Sequence, residues 1–300
     1  MSASPTAPEL GATSQATPSE RGGPSALPPW PPWTAPLALV LGLVLAALGG
    51  LLVDIPALLF GVRLGSGRLP PGLQIADTFV QDVGFVAAGV LIAGWGGRQV
   101  RAWQFGLRPT PWRRAVGGVL ALYAAFVAFS AVWAAALDVH AKEKVLDQLG
   151  ANRNAALLVG AAVLTTVVAP ICEEFLFRGF IFTALRTWSG PWVAAVLTGA
   201  LFGAVHAQSA PVALLVPLGA LGFGLCILYW RTGSLYPCIA AHCVNNSLAF
   251  GTLEGWSWQI PILVVCALSA VGLLGLGLRR TGLLALPVTA PAPAPAPAAS

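Results

Sequence analysis

The sequence predicts an all-α, polytopic membrane protein with about eight transmembrane helices around an intramembrane cavity. Three observations carry this reading. Of the 300 residues, 57% are hydrophobic and only 9% charged, too apolar for a water-soluble core and surface of this length. Uncharged or nearly uncharged windows recur at roughly 35–60, 77–97, 115–137, 155–187, 191–207, 210–230, 235–253 and 259–278. These windows are continuously apolar and lack the alternation of a β-barrel, and helices satisfy their backbone hydrogen bonds within a single segment.

Residues 1–33 are rich in Pro, Ala, Ser and Thr and read as a disordered tail, as do residues 281–300, which end in a Pro-Ala run. The first tail lacks a basic stretch leading into an apolar run, so the first span is expected to act as an uncleaved insertion signal. Residues 34–280 form the membrane domain. Arg98, Arg101, Arg108, Arg113 and Arg114 crowd one loop, which the positive-inside rule makes cytoplasmic. Counting spans from that loop puts Arg186, Arg231, Arg279, Arg280 and both termini on the same side, giving a multi-pass protein of the cell (inner or plasma) membrane. The segment 138–154 conflicts with this count, since Lys142, Lys144 and Arg153 fall outside. The lipid bilayer is the expected environment, and nucleic acid is not an expected partner.

The first three spans hold few ionisable residues: Asp54, Asp77 and Asp82, placed near span ends, read as water-facing or capping groups. Cys172, Cys226, Cys238, Cys243 and Cys266 form no C-x-x-C pair and read as buried small hydrophobes. Trp30, Trp33, Trp95, Trp103, Trp112 and Trp230 read as interfacial anchors, and His140 as a solvated loop residue.

Polarity inside the membrane concentrates after residue 170 in three patterns: Glu173-Glu174-x-x-x-Arg178, Phe202-x-x-x-His206 and His242-x-x-x-Asn246. A carboxylate at membrane depth costs at least a few kcal/mol and marks a functional site by default. Residues four apart share one helix face, so Glu174 and Arg178 are expected to pair and lower the cost of both charges. Glu173, about 100° around the helix, is left free for proton chemistry. His242 and Asn246 project together and could donate to an oxyanion or ligate a metal. A rise of about 1.5 Å per residue from the assumed cytoplasmic ends places Glu173 and His206 at matching depth, with His242 shallower. Each polar residue alone could be interhelical glue. Two His, an Asn and an unpaired Glu on three helices exceed what packing needs, so Glu173, His206, His242 and Asn246 form the candidate catalytic set, with Glu174 and Arg178 as structural support.

Together the three patterns resemble the CPBP family of intramembrane proteases, the CAAX prenyl endopeptidase and bacteriocin-processing (Abi) group. The resemblance rests on Glu173-Glu174-Phe-Leu-Phe-Arg178-Gly179, Phe202-Gly-Ala-Val-His206, the Thr232-Gly-Ser-Leu lead-in and His242-Cys-Val-Asn-Asn246, and covers residues 155–255. It implies a cavity open to the cytoplasm and cleavage of a peptide bond in or near it. Water activation would fall to the residues matching Glu173 and His206. Metal binding or oxyanion stabilisation would fall to those matching His242 and Asn246. A zinc ion held by His206, His242 and Glu173 is an alternative device for the same hydrolysis, although no H-E-x-x-H spacing signals it.

The expected function is therefore an intramembrane endopeptidase acting on a peptide or membrane-protein substrate through Glu- and His-activated water. The alternative is a non-catalytic membrane scaffold or immunity protein that binds a peptide or partner in the same cavity. A proton-coupled transporter would show internal repeats and matching broken helices, which this sequence does not display.

Overall fold

The computed structural model describes residues 28, 30–62, 69–137 and 154–280, and every described regular element is helical. The helices are α1 (Thr34–Leu59), α2 (Pro71–Ala93), α3 (Trp112–Leu137), α4 (Ala155–Val163), α5 (Ala169–Glu174), α6 (Thr183–Val205), α7 (Val212–Thr232), α8 (Tyr236–Leu253) and α9 (Gln259–Arg280). Two π-helical stretches, Leu164–Val168 and Phe175–Phe182, join α4, α5 and α6 into one helical run. His140, Lys142, Lys144, Arg153 and most of both tails lie outside the described residues.

Among the described residues, six helices are long and apolar enough to cross a membrane. The difference from eight windows has two physical origins. The windows at 155–187 and 191–207 belong to the single run Ala155–Val205 of 51 residues. At about 1.5 Å per residue such a run is more than twice the thickness of a bilayer core of about 30 Å. It is broken at Gly190, whose φ of 73° and ψ of 172° suit glycine, followed by Pro191. The window at 235–253 is helix α8, as expected, but His242, Asn245, Asn246 and Ser247 dilute its apolar character.

Polarity is distributed as a lipid solvent requires. Leu52, Val132 and Leu273 face outward, while Asp82, Glu174 and Arg178 are fully buried. The core is aromatic, with Phe177, Phe180, Phe182 and Phe202 all inaccessible. Trp30, expected at the interface, instead packs against Phe180 at 4.6 Å and Phe105 at 5.0 Å between ring centroids, because the chain folds back over the bundle before α1. Trp33, Trp95 and Trp112 remain exposed, as interfacial anchors would be.

The α6–α7 contact is built on absent side chains. A Cβ added at Gly199 would lie 2.7 Å from both Gly219 O and Phe223 N, which are backbone atoms that cannot yield cheaply. Gly203 closes against Gly219 in the same way, one turn further along. This is close packing through small residues, the main route to helix association where lipid is as apolar as the side chains. The nearby small residues Ala204 and Ala207 face outward. Gly199→Ala should therefore force the helices apart and destabilise the protein by about 1–3 kcal/mol, read as a lowered thermal midpoint in detergent.

Candidate active site

The site begins with a disturbance of the helix that carries it. Ala169 N–H bonds Leu164 O, a π-register bond five residues back. Thr165 O thereby loses its usual α-helical donor, and its π-register donor would be residue 170, a proline without an N–H. The vacancy is filled from another helix, where Asn246 Nδ2 donates to Thr165 O at 2.9 Å. Pro170 thus opens the backbone, and the α8 amide closes it, tying α8 to the turn just before the glutamates. A second π stretch, Phe175–Phe182, follows directly after Glu174. Single-turn π segments of this kind are frequent at functional sites.

The two glutamates diverge on leaving this turn. Glu174 is inaccessible, and its Oε1 accepts from Arg178 Nη1 at 2.8 Å and from His242 Nδ1 at 2.8 Å. A carboxylate only accepts, so Nδ1 of this imidazole donates to Glu174, and in the neutral ring Nε2 presents a lone pair. Arg178, also inaccessible, donates through Nη2 to Gly222 O of α7 at 3.1 Å and stacks 4.4 Å over the Phe202 ring. The expected i,i+4 pair is present, and it reaches α6, α7 and α8.

Glu173 is 14% exposed, and its Oε2 stands 3.8 Å from His242 Nε2. That oxygen has no hydrogen-bond partner among the described residues. His242 is therefore held between two carboxylates, with its protonated nitrogen on the buried one and its free nitrogen toward the accessible one. A water between Glu173 Oε2 and His242 Nε2 would meet two acceptors, which suits activation of a nucleophile.

His206 begins a short 3-10 turn at the end of α6 and keeps Nδ1 on Phe202 O at 2.8 Å, leaving Nε2 free. Its ring lies 4.9 Å from Phe202, which His242 meets edge-on from 5.6 Å. Phe202 thus touches both imidazoles, and no ion pair joins His206 to Glu173 among the described residues. The depth reading made His242 the outlier and His206 the neighbour of Glu173, whereas the contacts pair Glu173 with His242. Asn246 lies one turn beyond His242, with one amide proton committed to Thr165 and its oxygen accepting from Asn245 Nδ2 at 3.3 Å.

A catalytic zinc takes three protein ligands and keeps an open position. Among the described residues no three His, Cys, Asp or Glu side chains converge as a metal-holding group. Glu173 and His242 supply two donors, and His206 does not complete the set, so the arrangement does not fit that ion. Cys172, Cys226, Cys238 and Cys243 are buried as expected, and Cys266 faces outward.

One carboxylate was missed by sequence reasoning. Asp82 was placed near a span end, but α2 begins at Pro71, which leaves Asp82 in mid-helix, inaccessible, with neither oxygen partnered among the described residues. Two turns along the same face, Gly89 packs against Phe175 and Leu176, and Asp82 itself is within electrostatic reach of Glu173. The available signal was the lone carboxylate in an apolar window, misjudged because the helix start was set too late.

Arg178 and Asp82 should respond oppositely to neutralisation. Arg178→Met strands a buried Glu174 and should cost about 3–5 kcal/mol, whereas Asp82→Asn removes an unpaired charge and should leave the thermal midpoint unchanged or raised. Thermal unfolding of both purified variants checks this contrast.

Residues 155–248 match the family model described as type II CAAX prenyl endopeptidase Rce1-like. The protein described as "Putative membrane peptidase YdiL" of Bacillus subtilis (strain 168) is 34% identical over 85 residues, covering 28% of this chain and 34% of that protein. "Uncharacterized protein YyaK" of the same organism is 28% identical over 141 residues, covering 45% of this chain and 46% of that protein. The chain thus spans less than half the length of these curated relatives. No solved structure matches the chain. The matched segment runs from α4 into α8 and carries Glu173, Glu174, Arg178, His206, His242 and Asn246, so the likeness to the Rce1-like type II CAAX prenyl endopeptidase model falls on the residues that build this site.

Proposed function

We propose that this protein is an intramembrane endopeptidase in which Glu173 is the general base and His242 helps to orient the attacking water. The observation that carries this reading is the buried relay Glu174–His242–Glu173, with 2.8 Å on the buried side and 3.8 Å on the accessible side. Peptide hydrolysis needs a base for water and stabilisation of a tetrahedral oxyanion. Glu173 takes a proton as the water oxygen bonds to the scissile carbonyl carbon. It then returns that proton to the leaving amine as the C–N bond breaks, releasing a carboxylate and an amine. Glu174 stabilises His242 whenever that ring gains positive charge. His206, in its protonated form, and the remaining amide proton of Asn246 are the donors assigned to the oxyanion.

The substrate assigned to the site is a peptide or membrane-protein segment reaching the site from the bilayer or its surface, which accords with a family of membrane proteases. The cytoplasmic placement of both termini, read from the arginine-rich loop, belongs to the same proposal. A non-catalytic scaffold of this fold would bind such a segment without cleaving it, and the glutamate variant separates the two. Glu173→Gln preserves shape and removes the base, so it should lower cleavage by about a thousandfold while the thermal midpoint stays within the wild-type range. Cleavage at the wild-type rate by that variant would refute the reading. With only two clustered donors in place of a three-ligand zinc set, prolonged chelation should leave turnover within about twofold of the untreated protein, measured on the same substrate before and after metal is restored.

A further inference from the structure

Away from the glutamates, the first turns of α3 and the last turn of α7 border an open depression of about 610 Å³ lined by Arg113, Arg114, Gly117, Gly118, Arg231 and Thr232. None of the three guanidinium groups has an acidic partner among the described residues. Three exposed arginines thus border one depression and give it a positive potential. The start of α3 adds the partial positive charge of a helix N-terminus to the same place.

The position of the cavity identifies the anion. Trp112 is exposed beside Arg113, whose guanidinium lies 5.5 Å over the indole, and Arg231 lies 5.3 Å over Trp230 in the same manner. Tryptophans at helix ends settle at the headgroup level of a bilayer. Below the arginines, Val116 and Leu120 of α3 are 49% and 64% exposed, which continues the cavity into an apolar surface suited to acyl chains. Gly117 gives the cavity its space, since a Cβ there would meet no atom within 4 Å. The charge pattern of the loop places this end of the bundle at the cytoplasmic leaflet, where anionic lipid is concentrated.

We propose that this cavity is a binding site for the phosphate-bearing headgroup of an anionic phospholipid, with Arg113, Arg114 and Arg231 on the phosphate and the acyl chains along α3. The site is separate from the proposed hydrolysis and does not depend on it. Guanidinium groups match phosphate oxygens in bidentate fashion, and the volume lies in the range of small-ligand pockets. Thr232 joins the site to the machinery, because its carbonyl accepts from Thr110 and its hydroxyl from Ser234 N–H in the turn that leads into α8.

The test uses the full-length protein in neutral detergent, with bound lipid counted by native mass spectrometry after incubation with phosphatidylglycerol, phosphatidylcholine or inorganic phosphate. Phosphatidylglycerol should be retained selectively, and each of Arg113→Gln, Arg114→Gln and Arg231→Gln should weaken that retention by about fivefold. Gly117→Leu, which fills the cavity and leaves every charge in place, should reduce retention as well, whereas Arg98→Gln and Arg101→Gln outside it should not. Arg231 makes no hydrogen bond among the described residues, so its single variant serves even where a combined variant fails to fold. Equal retention of phosphatidylcholine would overturn the proposal. So would competition by inorganic phosphate at lipid-equivalent concentration, or an equal loss from the outside arginines.

Discussion

One oxygen atom organises the polar interior of this bundle. Glu174 Oε1 accepts from both Arg178 and His242, and all three side chains are shut away from solvent. A buried ion pair recovers its desolvation cost only when geometry is good and the remaining donors are used. Here Arg178 spends a second nitrogen on Gly222 O and rests its plane on Phe202. The glutamate helix is thereby fastened to α7 by a hydrogen bond, to α6 by stacking and to α8 by the imidazole. Loss of either charge would leave the other without compensation in a low-dielectric core, so the cluster locks three helices in register around Glu173.

The backbone contributes a second tie of a different kind. Pro170 deprives Thr165 O of a donor, and Asn246 supplies one from α8. Asn246 and His242 therefore grip the same neighbouring helix one turn apart, one through its backbone and one through Glu174. Two bonds on one helix face fix rotation as well as distance. That rotation decides whether Nε2 of His242 looks toward Glu173 or away. At the other end of the cluster, Ser234 Oγ donates to Arg108 O at 2.6 Å and Leu235 N–H to Gly106 O at 2.8 Å, anchoring the entry to α8. The Thr232-Gly-Ser-Leu lead-in is accordingly part of the positioning apparatus of His242.

What could be read from the chain followed from regular periodicity. Apolar windows located the helices, and four-residue spacing identified the Glu174–Arg178 pair, because both depend only on helix geometry. The facing of His242 and Glu174 was not legible, since it depends on the relative rotation of two helices 68 residues apart in sequence. Depth counting failed for the same reason and was further blurred by two π stretches that change the rise and phase of the glutamate helix. Asp82 was misassigned by an error of six residues in the start of α2, set at 77 where the helix begins at Pro71. Trp30 was misassigned because residue type alone does not distinguish a lipid headgroup from an aromatic core. The break at Gly190 was visible as a Gly-Pro step, and its role in turning a 51-residue run follows from length alone.

The contrast between the adjacent glutamates now has a physical basis. Glu174 is chemically saturated on one oxygen by two cationic or polarised donors, so its charge is committed to holding other groups. Glu173 Oε2, by contrast, has no hydrogen-bond partner among the described residues and stands 3.8 Å from His242 Nε2. An imidazole lone pair and a carboxylate oxygen repel unless a proton, or a molecule that can donate two, stands between them. Asp82, buried on α2 without a hydrogen-bond partner among the described residues, adds a third carboxyl group to the same region. The cluster therefore divides into a bonded pair, Glu174 Oε1 and His242 Nδ1, that sets geometry and a facing pair, Glu173 Oε2 and His242 Nε2, that a water could satisfy together; Glu174 Oε2 and Arg178 Nε also lack a partner among the described residues.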